Sequence, residues 1–410
     1  MISRASYQLL LLFTLAFVCT TLAFCTSNNS EEIAKGQVIS TLPVDTTAAW
    51  FVHGDTVLPG RWTAAQANAY YESRPIPLGA NYNPRSTINQ LEFWQEETFP
   101  LAEVREELGW AAGIGMNSMR VYLHDLAWTA DSTGFLERVD QYLYVADSLG
   151  ISTTLVLWDA VWNPVARIGP QPVPRPHIHN SGWVQSPSQQ ALTLDQRDYP
   201  RFERYVKSVL RRFADDERVY LWDLYNEPDN DNFGKFPQEE VATKADRVFP
   251  LLVATFGWAR EVAPIQPMTA GVWRNQLTDD ASLNRYNRFQ LNNSDIISFH
   301  HYGSPEAAEP YVALSRYGRP LVCTEYVARG ENNSFETILP IWAQHDIGAY
   351  NWGLVDGKTQ TKYPWHSWDS TYTDGPAVWH HEVFHPDGRP YAASEAALIR
   401  EVGQVYLRGE

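Results

Sequence analysis

The sequence predicts an α/β fold of the (β/α)8 TIM-barrel type in a single domain. Three observations predict it. Eight short, mostly continuous apolar runs recur at residues 76–83, 116–123, 151–159, 218–226, 267–273, 295–302, 320–326 and 347–354. Parallel strands buried on both faces have that appearance. Amphipathic helix patterns lie between runs, so strand and helix alternate. No Gly-rich phosphate loop follows the first run, which disfavours the doubly wound open sheet.

In chain order, the first run, IPLGANYN, brings Asn81 and Tyr82 to its end. The stretch FPLAEVREELGWAAGIG sets Leu101, Val104 and Leu108 on one helical face and closes on glycines. The second run, MNSMRVYL, carries Arg120, and the helix FLERVDQYLYVADSLG stops at Gly150. The third run ends in Trp158 and Asp159. A long stretch rich in Pro, Gly, Ser and His follows, from Ala160 to about Pro200. YPRFERYVKSVLRRFAD spaces Phe202, Tyr205, Val209 and Phe213 helically. The fourth run leads into Asn226 and Glu227, and the sixth ends in His300 and Tyr302. His301 points the other way by strand alternation. The seventh run ends in Glu325, with Cys323 as a small buried apolar residue, and the eighth in Trp352. A second irregular stretch, Val355 to Pro390, holds Trp365, Trp368 and Trp379. Both long stretches follow strand C-termini, the face on which barrels build their sites.

Composition narrows the classes. The chain has 410 residues, 44% hydrophobic and 20% charged, which is globular rather than disordered. The net charge of −16, with no Lys/Arg cluster, excludes a nucleic-acid partner. The 16 Trp and 21 Tyr supply flat amphipathic rings of the kind that line sugar clefts as well as cores. Residues 1–24 combine Arg4 with an apolar run from Leu9 to Phe24, too short for a spanning helix, and suggest an export signal. Residues 25–45 form a polar tether, and 46–410 the barrel. TLAFC resembles a bacterial lipoprotein signal ending at Cys25, with Phe24 departing from the small residue expected there; ordinary signal cleavage is the alternative. A lipid on Cys25 is the one membrane attachment this reading allows. It would leave Cys323 as the sole thiol and no intrachain disulfide. Nothing in the sequence fixes an oligomeric state.

Polar residues at several strand ends carry the chemistry. A carboxylate inside an apolar strand is costly unless something pairs with it. Glu227 and Glu325, from the fourth and seventh strands, face each other across one barrel mouth. Such a pair suits glycoside hydrolysis: one carboxylic acid protonates the leaving oxygen, and the other attacks the anomeric carbon or activates water.

WDLYNEP on the fourth strand and TEY on the seventh resemble glycoside hydrolase family 5, the cellulases, β-mannanases and relatives in the retaining clan of (β/α)8 glycosidases. The resemblance runs from about Ile76 to Tyr391. It implies Glu227 as acid/base, Glu325 as nucleophile and Asn226 as holder of the sugar 2-hydroxyl. It implies Arg120 as support for the nucleophile, His300 and Tyr302 as site residues, and Trp352 as the floor under the sugar. One element departs: many members end the third strand in His, where this chain has Trp158 and Asp159. Arg120 should lower the pKa of Glu325, Tyr302 could donate to the same group, and Glu227, which must start protonated, should sit in a drier, more apolar place or near the other carboxylate.

Asn81, Tyr82, Trp158 and Asp159 are further candidates for lining the site. Trp365 and Trp368 either carry sugar or pin their own loop. The HIH run at 177–179 and the HH pair at 380–381 lack metal-site spacing and are expected to be solvated loop histidines. The DNDN stretch at 229–232 lacks a calcium loop's Gly and terminal Glu. The expected protein is an exported retaining β-glycoside hydrolase without metal or cofactor, acting on a glucan, mannan or xylan. The rivals are a transglycosylase, a non-catalytic glycan-binding barrel and a metal-dependent hydrolase.

Overall fold

The computed structural model describes residues 53–192, 196–274, 277 and 279–407, all within one compact unit. The expected leader (1–24) and the tether (25–45), Cys25 included, lie outside the described residues. No helix among the described residues is long and apolar enough to cross a membrane.

Eight strands form one sheet: β1 Leu78–Tyr82, β2 Ser118–Tyr122, β3 Ser152–Val156, β4 Val219–Asp223, β5 Met268–Thr269, β6 Ile297–His300, β7 Leu321–Tyr326 and β8 Gly348–Trp352. Every pair is parallel, in the order β5-β4-β3-β2-β1-β8-β7-β6. The ends join through a bridge between Val272 and Phe299, with His300 N donating to Val272 O at 3.0 Å. The sheet is therefore a closed barrel, and each expected strand is present at its expected place.

Eight longer helices accompany it: α1 Ala64–Glu72, α2 Leu101–Gly113, α3 Ser132–Asp147, α4 Tyr199–Arg212, α5 Lys244–Val262, α6 Arg285–Asn293, α7 Phe335–Gln344 and α8 Ala393–Tyr406. Their ends follow local chemistry. Thr63 and Gln66 form a capping box on α1, and Ser334 and Thr337 one on α7. Past α3, Gly150 takes a left-handed φ of 73°, and Ile151 N returns to Ala146 O. The core lies between strands and helices: Val104 and Leu108 of α2, and Phe202, Tyr205 and Val209 of α4, are all buried.

Register places the site. β1 pairs with β2 so that Asn81 sits beside Arg120, and with β8 so that Asn81 also sits beside Trp352. β6 and β7 set His300 beside Glu325.

Candidate active site

Glu325 stands at the C-terminal end of β7, 4% exposed, and three donors hold its carboxylate. Arg120 Nη1 lies 3.0 Å from Oε1, Tyr122 Oη donates to the same oxygen at 2.9 Å, and Tyr302 Oη donates to Oε2 at 2.9 Å. Arg120 is a buried hub. It also donates through Nε and Nη2 to Asp223 Oδ2 (3.0 and 2.8 Å), through Nη1 to Asn81 Oδ1 (2.7 Å) and through Nη2 to Asn226 Oδ1 (2.7 Å). A buried guanidinium needs this many acceptors, because every unmet donor would be costly in a low-dielectric interior.

Glu227 follows β4 with φ 44°, a left-handed conformation that costs a side chain with a Cβ about 1–2 kcal/mol. Its carboxylate meets His300 Nδ1 at 2.8 Å through Oε1, and Asn230 Nδ2 donates to Oε2 at 2.5 Å. One oxygen of Glu227, one of Glu325 and a ring nitrogen of His300 all lie within 4.8 Å of one another. The two carboxylates thus converge as expected.

Burial raises Glu227 to about 7, with the charge of Asp229 adding to it, so this carboxyl holds a proton near neutrality. Glu325 departs from expectation. Burial outweighs the lowering by His300 and Arg120, Glu227 adds to the rise, and its pKa lies above the ordinary carboxylate value. Burial also lowers His300 to about 4, so its ring is neutral at neutral pH.

The remaining expected residues divide. Asn226, Tyr302 and Trp352 line the main cleft with Glu227 and Glu325. Trp158 does not: its ring packs against Phe202 and Tyr205, and its Nε1 donates to Thr255 Oγ1, behind the barrel wall. Strand β3 ends at Val156, earlier than the apolar run suggests, and the alternation that would aim Trp158 inward stops there. Asp159 is no cleft wall either. It is 1% exposed and receives hydrogen bonds from Asn226 Nδ2 (2.9 Å), Trp183 Nε1 (2.6 Å) and Val161 N (3.1 Å), so it orients Asn226 from behind. Asn81 braces Arg120, and Tyr82 turns outward to donate to Glu107.

The histidines overturn another expectation. His179, His380 and His381 are buried, not solvated. Their rings gather around Trp365, with His179–His381 centroids 5.2 Å apart and His380–His381 4.3 Å apart. Their ligand atoms form no convergent group of three; among the described residues only Glu227, His300 and Glu325 do. Trp368 pins its loop, stacking on Trp162 and donating to His179 O, whereas Trp365 lines the cleft. As expected, His301 faces outward, against Tyr311 and Trp342, and Cys323 is fully buried.

Sequence reasoning missed Tyr122, Asp223 and Trp183. Tyr122 was findable: it shares strand parity with Arg120, and period two puts both inside the barrel. Asp223, a charge within an apolar strand, carried the same signal as Glu325.

The molecule is thus a closed (β/α)8 barrel with a buried carboxylate pair at the C-terminal ends of β4 and β7. No family model and no curated protein matches the sequence. Solved structures share the fold. GH5_18 from Streptomyces cattleya, in complex with GlcNAc, is similar with a TM-score of 0.53 at 14% identity, over 82% of this chain and 81% of that one. The exo-beta-1,4-mannosidase Op5Man5 from Opitutaceae bacterium strain TAV5 gives 0.55 at 17% identity, over 81% of this chain and 60% of its own. The endo-beta-1,4-mannanase from Thermotoga petrophila gives 0.52 at 14% identity, over 83% and 79%. The fold expected from the resemblance, that of the glycoside hydrolase family 5 barrels, is the fold this chain has.

Proposed function

We propose that this chain is an exported retaining β-glycoside hydrolase that cleaves β-linked poly- or oligosaccharides of glucan, mannan or xylan type. The observation that carries the reading is the convergence of Glu227 and Glu325, one oxygen of each lying within 4.8 Å of the other, in unlike surroundings. Retaining enzymes hold their carboxyl groups about 5–5.5 Å apart, and inverting ones leave room for a water between them.

In this reading Glu325 attacks the anomeric carbon. Arg120, Tyr122 and Tyr302 aim its carboxylate and stabilise its charge. Glu227, protonated, gives its proton to the leaving oxygen as the C1–O bond breaks. The ester on Glu325 removes that negative charge; water then attacks C1 as Glu227 takes its proton, and the C1–O bond to Glu325 breaks, restoring the carboxylate. Asn226, fixed by Arg120 and Asp159, faces the sugar's 2-hydroxyl. Trp352 offers an apolar floor. Export rests on the leader at 1–24, and a lipid on Cys25 would tether the enzyme to a bacterial surface.

The test is a polysaccharide panel with wild type and Glu325→Ala side by side. Activity on a β-glycan that disappears in the variant supports the reading; a variant as active as wild type overturns it. One observation favours a second reading, a cation held by Glu227, His300 and Glu325. Arg120 already places a positive charge 3.0 Å from Glu325, which opposes a second cation there. Loss of activity on dialysis against EDTA, restored by a divalent metal, would decide for the cation.

A further inference from the structure

The loops after β1 (83–89), β3 (157–188) and β8 (353–392) meet over one side of the barrel mouth, above β1 and β2. Asn180 N donates to Thr359 O at 2.8 Å, His177 N to Gln360 Oε1 at 2.8 Å, and Gln360 Nε2 to Arg175 O at 2.8 Å. His179 N donates to Ser367 Oγ at 3.0 Å, and Lys358 N to Arg85 O at 2.9 Å. Asn89 Nδ2 donates to Gly182 O at 2.8 Å.

Two glycines permit this closeness. A Cβ on Gly357 would lie 2.3 Å from the carbonyl oxygen of Arg85, and one on Gly182 would lie 2.1 Å from Ile88 Cδ1.

Between this roof and Tyr122 the space is filled, while His179 and Asn180 at the roof's edge face the main cleft. Tyr122, Trp183 and Trp352 pack edge to face, with ring centroids 5.3 to 5.8 Å apart. The cavity left among Trp183, Trp352, Thr359 and Thr361 is about 20 Å³, room for roughly one water. On the other side of Trp352 the main cleft measures about 530 Å³ and runs past Glu227 to Phe233 and Trp273. Phe233 is 66% exposed and marks the open rim.

Chemistry orients a chain in this space. Glu227 protonates the leaving oxygen, so the leaving sugar lies on the side of Asn230, Phe233 and Trp273. The sugar attached to Glu325 lies on the side of Trp352, where the loops are sealed. We propose that the sealed side admits a single sugar unit, so that the enzyme shortens chains from their non-reducing ends. This rests on the hydrolase reading. At each cut the C1–O bond of the terminal unit breaks. Water adds hydroxyl to C1 and hydrogen to the chain's oxygen, releasing one monosaccharide.

The experiment uses β-1,4-linked gluco-, manno- and xylo-oligosaccharides of two to six units, labelled at the reducing end. Each is supplied free or O-methylated at the non-reducing terminal 4-hydroxyl. Early products are resolved by mass, and binding to Glu325→Ala is measured by calorimetry. The expected result is unlabelled monosaccharide as the sole early product. The cap should lower turnover at least 100-fold and binding at least 10-fold. Unlabelled di- or trisaccharides at early times, or capped chains bound as well as free ones, would overturn the sealed end while leaving the hydrolase reading intact. Cap-sensitive binding without turnover of any substrate by wild type would sink the hydrolase reading and keep the sealed end. Neither binding nor turnover across the panel would overturn both. Gly357→Val, which wedges the β8 loop off Arg85, should release unlabelled disaccharide at early times, where wild type releases none. If it does not fold, Trp183→Ala serves the same end, and a product pattern unchanged in a folded variant counts against the seal.

Discussion

The guanidinium of Arg120 serves acceptors on Asp223, Glu325, Asn81 and Asn226 at once, a task its planar fork performs and a single ammonium cannot. Arg120→Lys should therefore lower kcat at least 100-fold even in folded protein, which steady-state kinetics beside circular dichroism would read. In the proposed mechanism Glu227 should fix the alkaline side of the rate profile. Its pKa is raised to about 7 and its protonated form is the acid, so kcat/KM should fall about tenfold per pH unit above that point. In Glu227→Ala, glycosylation from activated aryl glycosides should suffer far less than from natural sugars, since such leaving groups need no proton; equal losses would contradict the acid role. Trp158→Phe should leave kcat unchanged and lower stability by about 1–2 kcal/mol, because it removes a buried hydrogen bond to Thr255 and some ring packing. The carboxylates were legible in the sequence because charge inside apolar strands is conspicuous. Trp158 misled because an apolar run shows where a strand can lie, not where it stops.

Strands and helices were more legible than the loops between them. Runs such as LVLW and PLVCTEY are apolar for a backbone reason that sequence carries directly. The HIH and HH segments look polar, and only the packing of two distant loops against each other buries them. Glu382 of the β8 loop is buried as well. Thr361 donates to its Oε1, and its Oε2 has no partner among the described residues. Burial first, and then the charge of Asp356, raises its pKa to about 7. A carboxyl whose pKa is higher folded than unfolded favours the fold fully below about pH 4.5, and this contribution is lost as pH rises through 7. Glu382→Gln should therefore match wild type near pH 4.5. At pH 8 it should exceed wild type by up to about 3 kcal/mol in chemical denaturation.

Across the whole barrel, hydrogen bonding is thinnest where the sheet closes. Strand β5 has two residues, and a single bridge links Val272, just past its end, to Phe299 of β6. Asp295 reinforces this seam: it pairs with Arg260 at 2.7 Å and accepts from Met268 N at 2.9 Å. Asp295→Ala leaves Arg260 buried and unpaired and should cost about 3–5 kcal/mol, measured as a fall in the denaturation midpoint. Hydrogen exchange at β5 and β6 should then rise before that at β1 and β2. The roof over β1 and β2 has a different bearing on the molecule's history. Its pieces come from the first, second and last parts of the sequence, nearly 300 positions apart at the extremes. Contacts so distant along the chain close late in folding. A half-synthesised chain can already possess Arg120 and Glu227, yet has neither Glu325 nor the sealed wall beside Trp352. Catalytic competence should arrive in one step with the C-terminal third, after most of the barrel's secondary structure, and in refolding the recovery of turnover should lag the recovery of helical signal.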